Sequence, residues 1–138
     1  MQGFDEAWLK DYEKKRGISL EAQKPKRESS PALFEFEQPK DKMNATERRY
    51  ADRVLNPMLF AKEIYSWDFE RITFHLAPRT TYTPDFFIVY PRKLRIVEIK
   101  GRLEDDASVK YKLARDLFPW FEWEMLRYDK GEFVKVRI

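Results

Sequence analysis

Two short apolar runs, Asp85–Tyr90 and Leu94–Lys100, are separated only by Pro91-Arg92-Lys93. Phe, Ile and Val dominate them, and a proline-led turn of this length predicts a β-hairpin. Side chains alternate faces along a strand, so Val97 and Ile99 enter one layer while Glu98 and Lys100 point together into the other. A carboxylate and an ammonium group therefore stand where a core strand ordinarily carries apolar residues. Asp85, at the start of the preceding strand, can lie next to them across the hairpin.

That grouping has a chemistry. The carboxylates of Asp85 and Glu98 with the Ile99 carbonyl offer the oxygen ligands that Mg²⁺ or Mn²⁺ prefers, with positions left for water and a phosphate oxygen. A metal held there would acidify a bound water and neutralise charge developing at phosphorus. Lys100 would orient or help deprotonate the attacking water and contact the scissile phosphate. The plainer reading of Glu98 and Lys100 is an edge-strand ion pair worth about 0.2–1 kcal/mol. Glu-x-Lys alone says little; Pro84-Asp85 at hairpin distance makes it specific. Glu47 adds a further acid. It shares the helix face of Tyr50 and Ala51, which must meet the sheet. Its alternative job is structural, as the glutamate of an Asn44-Ala45-Thr46-Glu47 capping box.

The rest of the chain frames this pair. At 138 residues there is room for one domain with a single core. A helix is expected from Phe4 to Arg16, with Phe4, Trp8, Leu9 and Tyr12 on one stripe. From Gly17 to Lys42, Pro25, Pro31, Pro39 and Ser29-Ser30 predict an extended arm, interrupted by Leu33-Phe34-Glu35-Phe36 as a docking strand or subunit contact. The boundary falls at 43, with 44–138 as the compact domain. Tyr50, Ala51, Val54, Leu55 and Met58 predict a helix that Pro57 ends or kinks. Ile64–Leu76 reads as one strand, or two with a bend at Glu70-Arg71, and Ala77–Pro84 as a loop. After the hairpin, a helix to about Leu117 places Ala107, Tyr111, Ala114, Leu117 and Phe118 on one face. Glu122–Tyr128 and Glu132–Ile138 are final strands about an Asp129-Lys130-Gly131 turn. The expected class is α/β, one mixed sheet with helices and an N-terminal extension.

With the order helix bearing Glu47, then Pro84-Asp85, then Glu98-Ile99-Lys100, then a Lys-bearing helix, the chain resembles the PD-(D/E)xK nuclease superfamily. It is most similar to small phage-type endonucleases related to Holliday-junction resolvases. Asn44–Glu47, Thr81–Phe86, Val97–Gly101 and Asp106–Lys112 carry the resemblance, which covers about 44–127. It implies a restriction-endonuclease-like αβββαβ core and a metal-dependent DNase. It further implies Asp85 and Glu98 as metal ligands, Lys100 as the catalytic lysine and Glu47 as the helix acid. Junction-resolving relatives work as homodimers on branched DNA. A monomeric nicking or single-strand nuclease, and a non-catalytic DNA- or protein-binding module, remain open beside it.

Other residues fit around this frame. Arg79 and Tyr82, in the loop feeding the site, are candidates to touch DNA, as are Arg102 and Lys110. Lys112 and Arg115 form a phosphate clamp or else a solvated helix face. His75 is expected in a structural place, Trp120 and Trp123 in the core, and one of Glu104, Asp105 and Asp106 as a helix cap. The net charge of +3 permits a polyanionic partner without requiring one. The chain has no cysteine, which excludes disulfides, thiolate zinc sites and cysteine nucleophiles. No apolar run suits a membrane span and no secretory signal opens the chain, so a cytoplasmic setting is expected, the host's if the chain is phage-encoded.

Overall fold

The computed structural model describes residues 6–17, 33–38, 42–101 and 105–138. The chain divides into two units, Met1–Pro31 and Ala32–Ile138. In the first, α1 (Glu6–Arg16) ends in Lys14, Lys15 and Arg16, cations suited to the negative end of a helix. It stops at Gly17, whose φ of 63° favours glycine. Phe4, most of the arm and the apolar side chains expected on this helix lie outside the described residues.

The second unit holds two sheets. The larger has the order β2-β5-β6-β7-β8, and the smaller β1-β3-β4. Their strands are β1 (Phe34–Phe36), β2 (Ser66–Phe69), β3 (Ile72–Ala77), β4 (Thr80–Tyr82), β5 (Phe86–Val89), β6 (Leu94–Ile99), β7 (Glu122–Asp129) and β8 (Glu132–Lys135). The large sheet is mixed: β6 and β7 run parallel, while its other neighbours are antiparallel. A parallel pair needs a crossover, and α4 (Asp105–Leu117) supplies it. The molecule is an α/β protein. Among the described residues no helix is long and apolar enough to cross a membrane.

Each face of the large sheet has its own core. On one, Phe86, Ile88, Val97, Ile99 and Leu126 bury against Tyr50, Ala51 and Leu55. On the other, Phe87, Ile96 and Met125 meet Tyr111, Ala114 and Phe118 of α4, together with Ile72, Phe74 and Tyr82 of the small sheet. Leu117, expected on the inner face of α4, is exposed, because it lies well around the helix from Tyr111.

The helical run after Asn44 comprises α2 (Ala45–Tyr50), a π-helical turn (Ala51–Leu55) and α3 (Asn56–Phe60). Pro57 therefore does not end this run but sits inside it, with the π turn directly ahead of it. Proline has no N–H to give Arg53 and its ring crowds that carbonyl, so the turn ahead of it widens. The Asn56 amide reaches back to the Ala51 carbonyl accordingly.

The bend expected at Glu70-Arg71 is real, with Glu70 at a φ of 45°. Here the chain leaves the large sheet for the small one. The expected loop from Ala77 to Pro84 is in part a strand. Pro78 and Arg79 make a tight turn, and β4 pairs back onto β3. Prolines at both ends masked the strand-forming Thr80-Thr81-Tyr82 between them. Buried Pro84 then returns the chain to the large sheet. The two crossing points are bonded together, the Glu70 amide donating to the Asp85 carbonyl at 2.7 Å. Phe34–Phe36 is a docking strand on β3 and belongs to the compact unit, so the boundary precedes residue 43.

Candidate metal and phosphate site

Asp85 sits at the corner where the chain re-enters the large sheet, one residue before β5. Glu98 lies on β6, an interior strand with β5 and β7 on either side, so the edge-strand reading of Glu98 and Lys100 does not apply. Alternation puts Phe87 and Ile96 on the α4 side, and Asp85, Glu98 and Lys100 share their parity. The two acids thus face one layer.

Their backbones tie them together. The Ile99 amide donates to Asp85 Oδ2 at 2.7 Å, and the Asp85 amide to Glu98 Oε2 at 3.3 Å. A strand residue directs its N–H and C=O to the same neighbour, so the Ile99 carbonyl also lies on the Asp85 side. Glu98 is only 9% exposed. A buried carboxylate is costly unless bonded, and the Tyr82 hydroxyl donates to Glu98 Oε2 at 2.8 Å. Tyr82 is therefore not on the surface a substrate would touch, as the sequence suggested; it is buried and orients Glu98.

Electrostatics sharpen the picture. Burial pushes the Asp85 carboxyl up from 3.8 to about 8, and the negative charge of Glu98 adds to this; the Ile99 amide opposes it, and Glu47 and Glu70 raise it further. Burial also raises Glu47, whose carboxyl feels Glu70 as well. Four acids thus influence one another electrostatically. Glu70 was not singled out in the sequence; only its position at the sheet-crossing corner brings it here.

Glu47 performs its capping duty in full. Its Oε2 accepts from the Asn44 amide at 2.8 Å and its Oε1 from Asn44 Nδ2 at 2.7 Å, while Asn44 Oδ1 caps Thr46 and Glu47. Lys100 is exposed and lines a cleft of about 850 Å³ with Thr46, Gly101, Arg127, Tyr128 and Asp129. Among the described residues no three His, Asp or Glu side chains form a ready-made metal cage. The donor set at Asp85, Glu98 and the Ile99 carbonyl is nonetheless all oxygen and burdened with like charge, and it fits a hard divalent cation.

The remaining candidates scatter. Arg79 is exposed at the β3–β4 turn with a φ of 59°. Lys110 stands 4.0 Å from Asp106, one turn back on α4. Lys112 is exposed, whereas Arg115 bonds the Ile138 carbonyl at 2.8 Å, so the two do not converge as a clamp. Arg102 and Glu104 lie outside the described residues. His75, on β3, is 3.8 Å from Glu35. Trp123 packs into the core while Trp120 is exposed, contrary to expectation. Comparisons with protein-family models, curated proteins and solved structures found no match.

Proposed function

We propose that this chain hydrolyses DNA phosphodiester bonds with a divalent cation, Mg²⁺ or Mn²⁺, as an endonuclease of the PD-(D/E)xK type. The carrying observation is the Asp85–Glu98 pair: two acids on one face of the sheet, each bonded to the other's strand. Element order supports the same reading. Helices α2–α3, strands β2, β5 and β6, helix α4 and strand β7 follow the αβββαβ sequence of a restriction-endonuclease-like core, with β3–β4 inserted.

Asp85, Glu98 and the Ile99 carbonyl would hold the cation, which when bound supplies charge neutralisation at the phosphate and a more acidic water. Tyr82 fixes the rotamer of Glu98 by holding Oε2. The amide of Ile99 holds Asp85 Oδ2 in the same way. Lys100, at the lip of the cleft, contacts the scissile phosphate and stabilises charge gathering on it. Glu47 anchors the start of α2 and adds negative potential at Asp85. Branched DNA as the preferred substrate and a homodimeric assembly rest on the family resemblance alone.

The test is incubation of plasmid, single-stranded and four-way-junction DNA with Mg²⁺ or Mn²⁺, beside an Asp85→Asn variant. Wild type is expected to cut at least one of them and the variant none; equal survival of every substrate with both proteins overturns the catalytic assignment.

A further inference from the structure

The carboxyl ends of β6 and β7 carry a pair of cations whose proximity the fold itself does not use. Ile99 pairs with Leu126 across these parallel strands, and the Lys100 amide donates to the Leu126 carbonyl at 2.7 Å. One step further along, Lys100 and Arg127 stand abreast. Glu98 pairs with Met125 one step before them, and both cations open onto the cleft that Thr46 of α2 also lines. Like charges directly abreast on neighbouring strands are unfavourable, and an anion between them would reverse the sign of that interaction.

The surroundings suit an anion. Both residues line the same cleft of about 850 Å³, and among the described residues its one acidic wall residue is Asp129. Asp129 pairs with Arg127 at 3.5 Å, both partners about half exposed. Such a pair is worth only about 0.2–1 kcal/mol, so the guanidinium can turn to a ligand at small cost. Lys100 makes no ion pair among the described residues. Gly101, beside it, has no positive φ, and among the described residues a Cβ placed there would meet nothing within 4 Å. Its bare backbone leaves the cleft wall open to close approach. In open α/β sheets, ligands lie outside the carboxyl ends of the strands, as this cleft does.

We propose that Lys100 and Arg127 together grip a single phosphate of the bound strand, with Arg127 a phosphate-binding residue that sequence reading passed over. The identity of the anion rests on the nuclease reading; the two-cation grip rests on the strand register.

The experiment titrates a short labelled duplex with metal-free protein in chelator over a range of salt, using wild type, Arg127→Gln, Lys100→Gln and the double variant. Arg127→Gln is expected to weaken binding, and the double variant to flatten the plot of log affinity against log salt by about 0.9, one phosphate's worth of released counterions, a change neither single variant reaches alone. Arg127→Lys is expected to restore the affinity. Because one phosphate is shared, the double variant should lose less than the product of the single losses. A wild-type affinity for Arg127→Gln, a wild-type slope for the double variant, strictly multiplicative losses, or wild type that binds no DNA would each overturn the proposal. DNA cleavage by wild type alongside unaltered Arg127→Gln binding removes the grip and leaves the nuclease reading. The expected slopes with no cleavage by wild type do the reverse.

Discussion

A proton on Asp85 is held by burial and by the negative charge of Glu98, which lift its carboxyl from 3.8 to about 8. The folded state therefore binds this proton more tightly than the unfolded chain. Its stabilising contribution is complete below about pH 4 and is lost as pH rises toward 8, where both states ionise. Asp85→Asn keeps an acceptor for the Ile99 amide and carries no charge. In chelator at pH 8 the variant is expected to unfold at higher denaturant than wild type, by about 2 kcal/mol or more, with the gap closing near pH 4. Parallel pH profiles would contradict the assignment. Asp85 and Glu98 were legible in the sequence because strand alternation fixes where their side chains go. The service of Tyr82 to Glu98 was not. It depends on the crossing to the small sheet and the β3–β4 turn, which bring residue 82 back to the floor of the site, and no local pattern encodes such a return.

Elements read well where one local signal dominates and poorly where signals compete. The Asn44–Glu47 capping box and the Glu70-Arg71 bend stand where the residues put them. Pro57 distorts the helical run instead of ending it, because packing of Tyr50, Ala51 and Leu55 on the sheet holds the run together while the π turn absorbs the proline. β4 was missed for the opposite reason, its three residues being framed by prolines. Of the two roles expected for Leu33–Phe36, β1 takes that of a docking strand; its partner β3 was not legible, since the pairing spans some forty residues of chain. There Phe34 meets Phe74 and Phe121, Phe36 meets Phe87, and the Arg71 guanidinium donates to the Glu37 carbonyl. A chain lacking residues 1–42 is accordingly expected to be less stable than one lacking 1–31, by roughly 1–3 kcal/mol for the two partly covered aromatics. Equal denaturant midpoints would show that β1 contributes nothing to the compact unit.

Across the whole molecule, the sheet separates two kinds of work. Its α2 face is an apolar core with an ion cluster of Arg95, Glu122 and Glu124 toward the start of β6. Its α4 face is apolar up to Glu98, and acids and then cations occupy the carboxyl ends of the strands. Acids at the corner, cations at the lip and an open cleft are the arrangement a divalent ion and a phosphate strand require together. The most direct test is Mn²⁺ titration followed by water-proton relaxation at pH 8, with wild type, Asp85→Asn and Glu98→Gln. One ion per chain is expected, weakened at least about tenfold by either substitution, with wild-type affinity falling about tenfold per pH unit below 8 as the ion displaces the Asp85 proton. Mn²⁺ affinity indifferent to both substitutions, or no uptake by wild type, would contradict a cation shared by these two acids.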